Sequence, residues 1–211
     1  MEQPLSGRRI AVLVETEFIP AEIDCYQTRF PELGARVDLL TYLWGKPQRE
    51  LICDIDDPDK PVKDLRTLLV TKDVADANPD DYDIVIMVAN YCAVRLREIM
   101  PMGSLGSVAE VATPPAVQFF ARAMENKRTV KGAMCHALWI LTPRPDLLRG
   151  RRVICHTVVL ADIINAGATY TPSSHVVVDD DLVTARSAAD LDAYFTTIVE
   201  TAIARSSQNT N

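Results

Sequence analysis

Short unbroken apolar runs alternate along this 211-residue chain with stretches in which apolar positions recur every three or four residues. Ile10-Ala11-Val12-Leu13-Val14 is a run of the first kind, ended by Glu15-Thr16-Glu17, and reads as a strand buried on both faces of a parallel sheet. A helix follows over residues 21–33 and a strand over 36–42. Residues 83–89 repeat the strand pattern and 92–100 read as a helix. Residues 115–126 read as a third helix, with Pro115 in its first turn. A strand over 129–134 then runs into a helix that begins near Ala137 and stops at Pro143 and Pro145. Residues 152–155 read as a strand, 158–166 as a helix closed by Gly167, and 176–178 with 182–184 as a hairpin around three aspartates. The closing helix, 188 to about 204, carries Leu191, Phe195, Ile198, Val199 and Ala202 on one face.

Two segments break the rhythm. Residues 44–66 scatter Pro47, Pro58 and Pro61 among Asp54, Asp56, Asp57 and Asp59, which reads as a surface excursion with a short strand near 50–54. Residues 101–114 form a second, Gly/Ser-containing insertion, and 206–211 a flexible polar tail. The whole, 1–211, is expected to be one α/β domain with a mainly parallel sheet covered on both sides. Ligands of such sheets bind beyond the carboxyl ends of the strands. Glu17, Asn90-Tyr91, Cys135-His136 and His156-Thr157 all follow strand ends and could line one pocket.

Cys135 is the most informative of these. It sits where a strand turns directly into a helix, with the small residues Ala133 and Ala137 two places to either side, as a nucleophile elbow requires. A thiol at a helix N-terminus is expected to titrate well below the free value, at roughly 3.5–7.5. Cys25, Cys53 and Cys92 read instead as buried structural cysteines.

Composition narrows the partners. A net charge of −7 and the lack of a basic stripe argue against nucleic acid or an anionic membrane surface. The first apolar run is too short for a signal peptide or a membrane span, and five scattered cysteines do not suggest a disulfide framework, so a reduced, cytoplasmic protein is expected. The dipeptides Cys135-His136 and Cys155-His156 invite a zinc reading, but adjacent strand residues face opposite ways and no CxxC or HxxxH spacing accompanies them. No Gly-rich phosphate loop is present. Neither a metal nor a cofactor is expected; the ligand class left is a small molecule.

Taken in order, Glu15-Thr16-Glu17-Phe18, Cys135-His136, Leu148-Arg149-Gly150-Arg151-Arg152-Val153, residues 162–168 and Leu182-Val183-Thr184-Ala185-Arg186 resemble the ThiJ/PfpI superfamily, which shares its fold with class I glutamine amidotransferases. The resemblance implies a flavodoxin-like three-layer sandwich, often a homodimer, with a reactive cysteine and a glutamic acid beside it. It places Cys135 as the nucleophile and Glu17 as the carboxyl that approaches it. His136 becomes a base or orienting residue, acting through its ring or through its backbone N–H. His156 either lines the pocket or is a hydrogen-bonded core histidine. The chain departs from the pattern where Ala89-Asn90 replaces a Gly-Gly pair, Ala137 replaces a glycine, and Val94 stands where protease-like members carry an acid. Those changes fall on the oxyanion side, where Ala89, Asn90, Tyr91, Ala137 and His156 are the candidate lining. His175 lacks the His-x-Glu of amidotransferases. Two functions follow from the resemblance. One is a cofactor-independent hydrolase or lyase in which Cys135 attacks a small electrophilic carbon, with glyoxalase-, hydratase- or amidase-like chemistry. The other is a redox sensor or chaperone-like protein that uses oxidation of Cys135.

Overall fold

The unbroken apolar runs form the middle of the molecule. The computed structural model describes residues 3–53, 65–99, 101, 103 and 105–208. Its centre is a seven-stranded sheet built from β1 (Arg9–Leu13), β2 (Arg36–Thr41), β5 (Lys72–Asp73), β6 (Ile84–Met87), β7 (Val130–Met134), β10 (Val176–Asp179) and β11 (Leu182–Ala185). The spatial order is β10, β11, β7, β6, β1, β2, β5, parallel throughout except for the antiparallel edge strand β10. Register is set in the middle: Ile10 lies opposite Val37 on one side and Ile84 on the other, and Ile86 opposite Gly132. All of β1 but its first residue is buried, as are all of β6 and β7, as expected when helices cover both faces.

The chain leaves β1 toward β2 in one direction and later adds β6, β7 and β11 in the other. Right-handed crossovers therefore put α1 (Pro20–Glu32) and α3 (Pro115–Glu125) on opposite faces. Helix α4 (Thr157–Asn165) joins the α3 layer, and α5 (Leu191–Gln208) joins α1, with the Phe30 and Phe195 rings 4.7 Å apart. The order reverses between β1 and β6, so the crevice beyond their carboxyl ends is where a ligand site belongs.

Several expectations need correction. The element after Cys135 is a five-residue 3-10 turn, Ala137–Leu141, whose Trp139 N–H bonds back to His136 O at 3.0 Å. Pro143 and Pro145 block its extension into an α-helix. The helix expected over 92–100 is the single turn α2 (Cys92–Arg95). The strand expected over 152–155 is only β8 (Arg152–Val153), which pairs with β9 (Thr169–Tyr170) outside the main sheet. The closing helix runs on to Gln208, so 206–208 are helical and not a loose tail; 209–211 lie outside the described residues. In the 44–66 excursion, β3 (Arg49–Ile52) forms an antiparallel ladder with β4 (Thr67–Val70), which the sequence pattern did not suggest, and 54–64 lie outside the described residues. Arg49 ties this ladder to the sheet through the buried Glu15 carboxylate, with contacts of 2.5 and 2.7 Å. Among the described residues no helix is long and apolar enough to cross a membrane.

Gly132 is where β7 meets α5. A Cβ at this position would lie 2.4 Å from Tyr194 Oη and 2.9 Å from Ile198 Cδ1, and the buried Tyr194 hydroxyl has no hydrogen-bond partner among the described residues. Gly132→Ala is expected to destabilise the protein by roughly 1–3 kcal/mol through overpacking. Tyr194→Phe, which removes the obstructing oxygen and an unpaired polar group, recovers part of that loss. Urea unfolding of the two single variants and the double variant measures the coupling, and strictly additive effects would show that the hydroxyl is not the obstacle.

Candidate active site

Three turns at the carboxyl edge of the sheet build the site. Glu17 after β1, Asn90 after β6 and Cys135 after β7 all adopt left-handed backbone, with φ of 73°, 61° and 60°. Non-glycine residues rarely do so, and asparagine is among the most tolerant. At Cys135 the strained turn is held from both sides: its N–H donates to Ala185 O at 2.9 Å, and its carbonyl accepts from His156 N–H at 3.1 Å. Ala133 and Ala137, both buried, leave room for the turn to close.

The turn lifts Sγ to the edge of the core, where the residue is 8 % exposed. His136 Nδ1 lies 3.0 Å from Sγ, so the ring does reach the sulfur. Burial pushes the thiol up to about 11; the backbone N–H groups of His136 and Asn90 pull it down, and the charge of Glu22 adds to the rise. The expected depression of this thiol is therefore overturned. No helix starts at Cys135, so its dipole is missing, and desolvation outweighs the two amides.

The carboxyl whose charge reaches Cys135 is that of Glu22, while Glu17, expected beside the thiol, turns to an arginine. Glu17 directs its carboxylate to Arg95, at 2.7 and 3.1 Å, and its side chain is 30 % exposed. Glu22 lies on the inward face of α1, in line with Tyr26 and Phe30 at intervals of four residues, and is fully buried. Its Oε1 accepts from the Tyr26 hydroxyl at 2.8 Å and its Oε2 from Ala89 N–H at 2.9 Å. Burial raises its pKa to about 7 against the pull of both hydrogen bonds. The spacing Glu22-Tyr26-Phe30, a carboxyl within an apolar stripe, was the sequence signal for it.

The Ala89-Asn90 pair divides its work. Ala89 N–H holds Glu22, Asn90 N–H faces the sulfur, and Asn90 Nδ2 donates to Glu17 O at 2.9 Å, so the side chain secures the turn and is not itself the sulfur's donor. Around His136 stand Tyr91, Trp139 and His156, with ring centroids 5.3, 5.2 and 4.8 Å away; the His156 ring is stacked at 18°. His156 Nδ1 accepts from Val158 N–H at 3.3 Å, which leaves Nε2 to carry the proton of the neutral ring. This half-exposed ring belongs to the rim of the site and not to the core. Cys53, Cys92 and Cys155 are buried, and Cys25 is half-buried beside Arg29. Val94, where an acid is missing, is exposed. Among the described residues no three His, Cys, Asp or Glu side chains gather as a metal-binding group.

A flavodoxin-like sheet with a cysteine on a strained turn one strand from its switch point defines the class as an α/β protein of the cysteine-elbow type. The sequence profile of the DJ-1/PfpI family matches residues 8–201, and the chain belongs to that family. Its relatives include YraA of Bacillus subtilis, whose name marks it as a candidate cysteine protease, 27 % identical over 89 % of this chain and 94 % of that protein. Another is protein/nucleic acid deglycase 2 of Escherichia coli, 25 % identical over 89 % of this chain and 94 % of the relative. Among solved structures, DJ-1 of Schizosaccharomyces pombe superposes with a TM-score of 0.67 at 14 % identity, covering 95 % of this chain and 97 % of its own. A ThiJ/PfpI domain protein of Brachyspira murdochii gives 0.71 at 12 % identity, over 93 % and 96 %.

The raised pKa of Glu22 links protonation to stability. The folded state binds its proton up to about 7, above the ordinary value of 4.5, so this contribution is complete below 4.5 and is lost as the pH rises through 7. Relative to Glu22→Gln, whose side chain does not titrate, the wild-type protein is expected to lose about 2 kcal/mol between pH 5 and pH 7.5. Urea midpoints of both proteins at the two pH values test this. A difference that stays constant with pH, or grows in the opposite direction, would remove Glu22 as a group that titrates near neutrality.

Proposed function

We propose that the chain is a cysteine-dependent enzyme in which Cys135 adds to a small electrophilic carbon, such as an aldehyde, amide or isonitrile carbon, with His136 as the base. The observation that carries this reading is the 3.0 Å contact between Cys135 Sγ and His136 Nδ1. A thiol held near 11 by burial is protonated at neutral pH, so it needs a base in contact before it can attack. Neutral His136 takes the S–H proton on Nδ1 as the S–C bond forms, and the N–H groups of His136 and Asn90 stabilise the sulfur as its proton leaves. Glu22 is near the midpoint of its titration at neutral pH, the condition under which a carboxyl both gives and takes a proton readily. It therefore takes the proton-transfer role in this reading, which Glu17, turned to Arg95, does not. The names of the relatives, one a candidate protease and one a deglycase, support acyl or carbonyl chemistry without choosing between them.

The alternative, a sensor, requires the Cys135 thiolate to attack the peroxide oxygen, and burial keeps the resting thiolate scarce for that reaction as well. Turnover of methylglyoxal, simple amides and simple isonitriles distinguishes the two. Cys135→Ala should abolish the activity found, Glu22→Gln should lower kcat by about 100-fold or more, and Glu17→Gln should leave it within about threefold. If hydrogen peroxide oxidation is the only Cys135-dependent event across that panel, the enzyme reading fails.

A further inference from the structure

Beside the cysteine site, between α2, the turn after Cys135 and α4, lies a groove of about 510 Å³ lined by Val94, Arg97, Trp139, Thr142, Asp162 and Asn165. That volume suits a small organic ligand. Trp139 is the shared wall: it packs against His136 with ring centroids 5.2 Å apart, and it also lines the groove.

The groove holds one cation, Arg97, and one anion, Asp162, and the two form no ion pair. Arg97 is half-buried, and its Nη1 donates to Trp139 O at 3.2 Å. Its remaining N–H groups have no acceptor among the described residues, and no carboxylate there pairs with it. None of its nitrogens is both fully buried and unpaired, so those donors are reached by solvent, and the side chain lines the groove. The nearest source of negative charge, Asp162, is committed elsewhere: its Oδ2 accepts from Trp139 Nε1 at 2.7 Å. Burial lowers the Arg97 pKa and only the field of Asp162 opposes this, so the guanidinium gains from a ligand anion. A guanidinium fixed at one nitrogen, with donors left in a plane, matches a carboxylate bidentately. The Trp139 ring and Val94, which is 43 % exposed, offer an apolar wall for the body of such a ligand.

We propose that this groove is the carboxylate-anchoring subsite of the enzyme, with Arg97 as its specificity-determining residue, and that the substrates are carbonyl electrophiles whose carboxylate stands several bonds from the reacting carbon, such as oxo acids with the two groups at opposite ends of the chain. The substrate assignment rests on the cysteine reading above; the binding site itself does not.

The test therefore begins with binding, in Cys135→Ala protein, where no covalent chemistry at that sulfur contributes. Titrations with 4-fluorophenylacetate and with 4-fluorophenylacetamide, followed by fluorine NMR of the probe and by the Trp139 indole N–H signal, compare the carboxylate with its uncharged analogue. The acid is expected to bind at least about tenfold more tightly than the amide, and Arg97→Gln to abolish that preference while Arg97→Lys keeps part of it. A shift of the Trp139 signal that depends on Arg97 places the ligand in the groove. Equal affinity for acid and amide, an unchanged preference in Arg97→Gln, or no binding of either probe at millimolar concentration overturns the proposal. Should Arg97→Gln fold poorly, the acid-to-amide ratio in Arg97→Lys decides, since an undiminished ratio excludes a bidentate anchor. In the Cys135-intact protein, turnover of uncharged oxoaldehydes that is insensitive to Arg97→Gln, together with failed binding, sinks the subsite and leaves the cysteine reading standing. Carboxylate binding without Cys135-dependent turnover of any carbonyl compound does the reverse.

Discussion

A carboxyl group without access to water sets the geometry of this edge of the molecule. Isolated burial of an ionised carboxylate costs several kcal/mol, so Glu22 is tolerable only where donors meet both of its oxygens or where it takes up a proton. Tyr26 and Ala89 supply the donors. Because Tyr26 lies one turn along α1 and Ala89 lies in the turn just after β6, the group fixes the depth of the helix against the sheet at the point where strand order reverses. The Cys135 turn then sits within range of its charge. Moving α1 outward would strand the Ala89 N–H in the core and release the carboxyl from the thiol together. The packing of the fold and the electrostatics of the site thus depend on one side chain.

The thiol is governed by a contest between burial and oriented dipoles. Two backbone N–H groups face Sγ, yet the sulfur stays mostly out of water and its proton is held tightly. Desolvation acts over the whole group, whereas each amide acts along one direction, and a short 3-10 turn adds no aligned dipole. Such a cysteine is quiet at rest. Forming the thiolate requires a proton acceptor, and His136 Nδ1 is in contact with the sulfur. His136 is buried between Tyr91, Trp139 and His156, and that packing helps to orient its ring.

Most of the sheet was legible because its strands are continuous apolar runs bounded by polar turns, as in Ile10 to Val14, and the hairpin because Asp179-Asp180-Asp181 interrupts two β-branched runs. The elbow was legible from Ala133 and Ala137. What followed it was not: Ala137 to Leu141 has the composition of a helix, and only Pro143 and Pro145 limit its length. The short β8 read as a core strand because Val153-Ile154-Cys155 is apolar, whereas Ile154 N–H goes to the Thr184 hydroxyl at 3.0 Å instead of a ladder partner. Glu17 outranked Glu22 for a similar reason. A residue just past a strand end carries an obvious topological address, while a carboxyl on a helix is ordinarily solvated. Its alignment with Tyr26 and Phe30 distinguishes Glu22, and that alignment has meaning only once the buried face of α1 is known.

The departures from the family pattern look severe in sequence and mild in space. Of the two residues that replace Gly-Gly, Ala89 does not carry a positive φ, so its methyl group costs the backbone nothing in conformational freedom. Asn90 does carry one, and its side chain offsets part of the strain by donating to Glu17 O across the crevice. Ala137 falls inside the 3-10 turn, in right-handed backbone where a Cβ is welcome. What the chemistry requires at these positions is the direction of N–H groups and not the absence of side chains. Those directions are present, one toward Glu22 and one toward Sγ. Around the Cys135–His136 pair stands an aromatic wall of Tyr91 and Trp139, and Trp139 also lines the groove that holds the half-buried Arg97.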